Sequence, residues 1–461
     1  MADPSGRPGN STLAAFAGPS LPFAALGLPL VVHLPAFYAE SVGLPLSVVG
    51  LIFMAVRLLD IPIDPLLGGW MDRTRTRWGR FRPWMVGCVP LLMIATFLVF
   101  MPLGPSAAVL QAVGRLAPHW GRETFLFVTL VLIYVGFSVA ALAQTSWGST
   151  LSNDYDQRSR IYGWWQTGNV VGILLVLLLP VIITSNGGTQ AQSVEAMGWF
   201  ILILLPITVG IAVWRVPERQ VTTECHAKLS DYLAFFKLTA VRRLMFTDLL
   251  LGLAPGITGA LALFYFKAAK GMDESQASIL IFLYFAAGLA GAPLWAWAAT
   301  KFGKHKALAL AGLVYAGAYI GLWLAPAGSF PLLALSMIGV GVPFSATPVL
   351  LRAMMADVGD EERLKSGEDR TGMLYALLTA TNKVGYAVAV GVTFIPLQMV
   401  GFNQHAGATN TPAAILALTI LFIAVPMVLL LIGSWVINGF PIDEARQKAN
   451  RAALEVAGLS G

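Results

Sequence analysis

The sequence is short of charge: Asp, Glu, Lys and Arg together make up 12% of its 461 residues, against 57% for the hydrophobic set. So little charge cannot cover a water-soluble protein of this length, which excludes soluble enzymes and soluble nucleic-acid-binding domains as classes. Cysteine is nearly absent. Cys88 falls in an apolar run and Cys225 in a polar stretch, which excludes a disulfide framework and leaves no cysteine cluster for a metal or redox centre. The first twenty residues are rich in Gly, Pro and Ser, hold one cation, Arg7, and lack an apolar core, so no cleavable signal peptide is expected. The formal charge of +6 does not point to nucleic acid either, because the cations gather in particular loops.

What the chain has in abundance is apolar runs, with a mean hydropathy of +0.72. At ~20 residues per crossing, its length accommodates about twelve membrane helices, and the expected fold class is an all-α membrane protein. The expected spans are Leu21–Ser41, Leu46–Met71, Pro83–Met101, Thr124–Thr150, Ile161–Ile183 and Gly198–Trp214, then 244–266, 276–299, 306–325, 330–355, 372–400 and 412–438. Span I is interrupted by Gly27, Pro29 and Pro35. The expected organisation is a tail (1–20), a six-helix half (21–214), a polar middle loop (215–243), a second six-helix half (244–438) and a basic tail (439–461). Lys and Arg concentrate in the loops after spans II, VI, VIII and X and in the tails, while the opposite side shows only Arg115, Arg122, Lys267 and Lys270. The positive-inside rule then puts both termini in the cytoplasm.

Span II breaks the apolar pattern. Arg57, Asp60 and Asp64 fall at i, i+3 and i+7, so a helix carries them on one face. An ionisable group at the helix centre costs at least ~2.5–3.5 kcal/mol in a bilayer, so that face is expected to look into a polar cavity. Arg57 can neutralise one acid as a structural pair, but not both. Pro62 and Pro65 lack N–H groups and so free the carbonyls of Leu58 and Ile61, as interrupted transporter helices do beside a coupling cation. An ion or solute path is the functional reading; a structural ion pair is the bland one.

The two halves echo each other. Asp64-Pro65-Leu-Leu-Gly-Gly-Trp-Met-Asp72-Arg73, followed by Gly79-Arg80, has a faded copy in Ala292-Pro293-Leu-Trp-Ala-Trp-Ala-Ala-Thr300-Lys301, followed by Gly303-Lys304. The copy has Gly288 and Ala292 where the first half has Asp60 and Asp64. Cation coupling is therefore expected in the N-terminal half.

Gly68-x-x-x-Asp72-Arg73 with the following Arg/Gly run resembles the loop signature of the major facilitator superfamily. The longer string from Asp60 through Arg77-Trp78-Gly79-Arg80-x-Arg82-Pro83-Trp84 resembles that of the glycoside–pentoside–hexuronide:cation symporter family. Ala356-Asp357-Val-Gly-Asp360-Glu, Arg370-Thr-Gly372 and Asn382-Lys383 are similar to the same family's span X exit and span XI lysine.

The resemblance implies two pseudo-symmetric six-helix halves with the site near the midplane, and solute movement by alternating access. It implies that Asp60, Asp64 and Arg57 form the cation site and that Lys383 faces the cavity. It also implies that Gly68, Asp72, Arg73, Arg77, Gly79, Arg80 and Arg158 latch the cytoplasmic ends of the halves. Plain positive-inside charge is the rival explanation for the arginines.

This chain departs from the family pattern in four places. Ile63 stands where an asparagine lies between the acids, Ala141 at a span IV aspartate, Ala24 at a span I aspartate and Gln166 at a span V arginine, with Ser138 near a span IV threonine. By analogy with other hard cations, sodium needs a cage of about five or six oxygens, so the loss of two of them favours a proton over sodium at Asp60 and Asp64. With the charged sugar clamp gone, the expected solute is a neutral glycoside, sugar or sugar acid. His33, Gln144, Gln166, Asn169, Asn382 and Lys383 would hold it, and Trp147 or Trp165 would serve as a stacking face. The tryptophans have a competing reading as interfacial belt residues. No enzyme activity, nucleic acid or cofactor beyond the coupling ion, H+ or Na+, is expected; the partners are the solute, that cation and the bilayer, and a monomer is expected. The setting implied is a bacterial inner membrane. The alternatives are a carrier of the same fold for an amphipathic or lipid-like solute, and a membrane assembly or sensor protein that moves nothing.

Overall fold

The computed structural model describes residues 9–109, 111, 121–151, 155–218, 235–367, 370–405 and 408–456. Among them there is no strand beyond an isolated bridge between Thr76 and Gly79, and twelve segments are helical, long and apolar enough to cross a bilayer. The chain is an all-α multi-pass membrane protein. It forms two compact units: Met1–Glu224 with Phe394–Gln398 and Asn403–Thr409, and the remainder, Cys225–Thr393, Met399–Phe402 and Asn410–Gly461.

The first unit opens with a crossing broken into α1 (Asn10–Ala17), α2 (Ser20–Gly27), α3 (Pro29–Val32) and α4 (Leu34–Glu40). The breaks fall at residues that weaken a helix, since Gly27 ends α2 and Pro29 starts α3. The tail expected through residue 20 is shorter than that. Helix α1 begins at Asn10, because Leu13 and Phe16 find buried positions and carry the helix into the stretch of small residues. Next come α5 (Leu46–Arg73), α6 (Arg82–Phe100), α7 (Arg122–Thr150), α8 (Tyr155–Ser185) and α9 (Gln190–Arg215). Helix α5 is continuous through Pro62 and Pro65; each proline lacks the N–H for one rung, and the rest of the ladder holds. Helix α9 begins eight residues before the apolar run expected for it, because Thr189 and Gln192 form a reciprocal capping box over its first turn. Its buried positions Ile201, Leu205 and Val209 alternate with exposed Ile203, Ile207 and Ile211, a lipid-facing stripe.

The second unit contains α10 (Thr239–Phe264, extended by a π turn over Tyr265–Ala269), α11 (Glu274–Phe302), α12 (Lys304–Leu324), α13 (Phe330–Phe344) and α14 (Ala346–Ser366). It closes with α15 (Thr371–Met399), α16 (Pro412–Thr419), a π turn over Ile420–Ala424, α17 (Val425–Asn438) and α18 (Glu444–Val456). Helix α10 starts within the expected middle loop, and residues 219–234 of that loop lie outside the described residues. Helix α14 runs to Ser366, past the expected end at 355, because its polar last turns find partners: Asp357 pairs with Lys304 and Glu361 with Lys365 and Arg446. Lys270 also has a structural use. Its amine donates to the carbonyls of Trp323 and Ala325 at the end of α12, and partial burial pulls its pKa below the ordinary lysine value.

The helix pairs inside each unit repeat. In the first, α5 packs on α7 and α6 on α7 and α9; in the second, α11 packs on α13 and α12 on α13 and α17. The pairing that the sequence echo implied is therefore present in the packing of each half.

Candidate cation site and its surroundings

Asp60 sits just past the middle of α5, only 4% exposed, and accepts a 2.7 Å hydrogen bond from Ser138 Oγ of α7. One turn earlier, Arg57 Nε donates to Tyr134 Oη at 2.7 Å, and its guanidinium carbon lies 5.4 Å from that ring's centroid. Tyr134 and Ser138 are four residues apart, and Arg57 and Asp60 three, so the two contacts stack along one seam between two helices. Asp64 is half-buried on the next turn. The seam gathers carboxylate and hydroxyl oxygens beside a fixed cation, a set suited to taking up a proton or a small hard cation. Among the described residues no three His, Cys, Asp or Glu side chains converge as a transition-metal site would require. Tyr134 was not foreseen, and Ser138 only by its register with a family threonine; hydroxyls four residues apart on the helix facing the acids were the available signal.

The expected solute ligands lie in both units and have different surroundings. Gln144 is 2% exposed and its amide is engaged: Nε2 donates to Phe16 O and Ser20 Oγ, each at 2.9 Å, and Oε1 accepts from Trp165 Nε1 at 3.3 Å. It stitches α1, α2, α7 and α8 together. Trp147 is fully enclosed, its Nε1 donating to Pro217 O at 3.2 Å, so it presents no face for stacking. His33 is buried at the joint between α3 and α4, with Nε2 meeting no partner among the described residues. Trp165 is half-buried and edge-on to Tyr162, Gln166 is exposed, and Asn169 donates back to Trp165 O at 3.0 Å. In the second unit Lys383 is half-buried, and Asn382 Nδ2 lies 3.5 Å from Asp248 Oδ1.

Asp248 is a further buried acid. It lies nine residues inside α10, 3% exposed, so the second half also holds a buried carboxylate, though on its first helix. The same unit holds buried hydroxyl pairs that the sequence did not announce, Tyr284 with Tyr315 at 2.6 Å and Thr258 with Tyr319. Tyr315 and Tyr319, four residues apart in an apolar helix, were the legible trace.

Around the arginine-rich loop, within the first unit, a carboxylate clamps the start of α6. Glu218, just beyond α9, accepts from the backbone N–H groups of Arg80, of Phe81 at 2.8 Å and of Arg82 at 3.2 Å. A carboxylate there caps the start of α6, where the helix dipole favours negative charge. Gly79 makes the approach possible: its φ is +111°, and a Cβ on it would lie 2.2 Å from Glu218 Oε2. Arg80 Nε donates to Met71 O at 3.1 Å at the end of α5, and Arg82 reaches Val216 O. Arg73 and Arg77 are exposed, and a Cβ on Gly68 would meet nothing within 4 Å. The side chains of Asp72 and Arg158 lie outside the described residues.

Two six-helix halves with repeated internal pairing and a charged seam in the second helix define a secondary transporter of the major facilitator class. The solved structure of a D-xylose–proton symporter shares this fold, with a TM-score of 0.67 at 13% identity over 93% of this chain and 97% of that one. The family model described as MFS/sugar transport protein matches residues 15–444. The chain thus belongs to the glycoside–pentoside–hexuronide:cation symporter family, a family of transporters and not of enzymes. It is 26% identical to a lactose permease of Lactobacillus delbrueckii subsp. bulgaricus, over 82% of this chain and 61% of the permease's length. It is 23% identical to a sodium-dependent lysophosphatidylcholine symporter of Gallus gallus, over 94% of this chain and 87% of that protein.

Proposed function

We propose that this chain carries a neutral glycoside or sugar by proton-coupled symport, with Asp60 as the proton-carrying group. The observation that carries the reading is the burial of Asp60 against Ser138 near the middle of an apolar helix. An ionised carboxylate there is costly, and protonation removes the cost without requiring the oxygens that a sodium shell needs. Ile63 and Ala141 stand where the family pattern supplies two of those oxygens. Neutral Asp60 then permits the reorientation that an ionised one opposes, which ties solute movement to the proton. Arg57, held by Tyr134, keeps a positive charge one turn away and favours reionisation on the side where the proton leaves.

The relatives support a sugar as the solute, since permeases and carriers for lactose, raffinose and isoprimeverose align along most of this chain. A second reading, an amphipathic lipid-like solute, is favoured by one observation. Gln144 and Trp147, two of the polar and aromatic groups expected to hold a sugar, are spent on packing, and a lysophosphatidylcholine symporter aligns over 94% of the chain.

The test is transient current from purified proteoliposomes on a solid-supported membrane, with a panel of glycosides, sugar acids and lysophospholipids, across pH and with or without sodium. A sugar-evoked current that persists without sodium and disappears in Asp60→Asn is the expected result. A current that requires sodium overturns proton coupling, and currents evoked by lysophospholipid alone overturn the sugar.

A further inference from the structure

Beside α6 and α9 lies a cavity of about 710 Å³ that plays no part in the reading above. One end is lined by Arg77, Arg82, Trp78 and Trp214; the rest is apolar, with Val89 of α6 and Val209 of α9 among its walls. Both tryptophans are exposed, at 64% and 79%, and the lipid-facing stripe of Ile203, Ile207 and Ile211 runs along the same helix. The groove therefore opens on the membrane flank of the first unit. Its geometry is amphipathic along one axis, with guanidinium groups and interfacial indoles at one end and a channel of small side chains leading towards the bilayer interior.

Two further observations point to an occupant. Arg82 lines the polar end of the groove and is held there, donating through Nη2 to Val216 O and lying over the Trp147 ring at 5.7 Å. Gly210 lines the groove, and a Cβ built on it would meet nothing within 4 Å, so the space beside it is open. A paired guanidinium cluster is the residue chemistry that takes a phosphate, and tryptophan the one that marks headgroup depth. A basic pocket between membrane helices is suited to an anionic lipid headgroup.

We infer that this groove binds a bilayer phospholipid with a net negative headgroup, its phosphate at Arg77 and Arg82 and an acyl chain between α6 and α9. This lipid is a resident ligand on the outer flank, distinct from any transported amphiphile. Because Arg82 also reaches Val216 O and Glu218 caps the same helix start, the bound headgroup would bear on the loop that joins α5 to α6.

The protein would be purified in mild detergent with equimolar phosphatidylglycerol and phosphatidylcholine and weighed by native mass spectrometry. Unsubstituted protein would also be labelled with a phosphatidylglycerol bearing a photoreactive acyl chain. The expected result is retention of phosphatidylglycerol at least fivefold over phosphatidylcholine, lost in Gly210→Phe and reduced in Arg77→Gln, with labelled peptides confined to 77–90 and 206–214. Equal retention of the two lipids, or labels spread over other helices, would overturn the proposal without touching the transport reading. So would a filled groove in Gly210→Phe that still retains the anionic lipid. Labelling needs no substitution, so the proposal stays testable even if both variants fold poorly.

Discussion

Helices α5 and α11 hold the same place in their two halves and meet their partner helices by opposite means. Where α5 crosses α7, a carboxylate faces a hydroxyl: Asp60 against Ser138 at 2.7 Å. At the echoed position α11 has Gly288, and a Cβ there would lie 2.9 Å from Phe344 and 3.2 Å from Gly341 O of α13. One turn further, a Cβ on Gly291 would lie 2.2 Å from Val342 O. The second half closes its crossing with backbone contact; the first keeps room for charge. Close-packed small residues let two helices approach closely, whereas a buried acid needs room and a polar partner. The proposed coupling through Asp60 therefore has no counterpart at the corresponding pair in the second half.

The comparison breaks most sharply at Asp60. Asp60→Asn removes the titratable group while keeping its shape, and concentrative uptake should fall by at least ~100-fold, about 2.7 kcal/mol of lost coupling. Counterflow, which needs no net proton movement, should survive; loss of both would mean a structural acid. The converse experiment writes the acid into the other half. Gly288→Asp forces a side chain into Phe344 and buries an unpaired carboxylate, and should destabilise the protein by about 3–5 kcal/mol, read as a collapse of the melting temperature in detergent. A variant that melts like the parent would show that the α11–α13 contact is not tight.

The loops extend the contrast. Lys304 opens α12 and pairs at 2.6 Å with Asp357, which is 4% exposed, whereas the start of α6 is held by Glu218 accepting from backbone N–H groups. Lys304→Gln removes the charge partner of a buried carboxylate and should cost about 2–3 kcal/mol, less than for a fully buried pair because the lysine reaches solvent. Glu218→Gln keeps one acceptor oxygen for the N–H groups of Arg80 and Phe81, sets an amide NH2 against that of Arg82 and loses the charge assistance, so about 1–2 kcal/mol is expected. Thermal unfolding of the two variants side by side tests that order; equal losses, or a larger one at Glu218, would reverse the reading of which loop is the stronger clamp.

Much of this was legible in the sequence, for a physical reason. Twelve apolar runs long enough to span a bilayer admit few other folds, and the family that the arginine string after span II resembled is the one whose model matches residues 15–444. Asp60 stood out because a buried acid is conspicuous in such a run. Its partners did not, since Ser138 and Tyr134 are small perturbations in a helix that is apolar all round. The same uniformity hid the fate of Gln144 and Trp147. In a helix with no polar face to mark the inside, a glutamine that lines a cavity and one that ties four helices together read alike. Glu218 was hidden differently, among the mixed charges of a loop where any acid reads as solvated. The starts of α1 and α9 were missed because Asn10–Ala17 and Gln190–Met197 are helical through packing and capping, not through hydropathy.

Gly79 and Gly303 carry one more consequence. Both stand immediately before or near the helix that follows the second crossing of their half, and both hold positive φ, +111° and +86°. Their neighbours have diverged, from a carboxylate clamp on one side to a lysine–aspartate pair on the other, yet the backbone turn persists in each. If the halves descend from one duplicated gene, that turn is inherited shape, while the side chains around it were free to specialise.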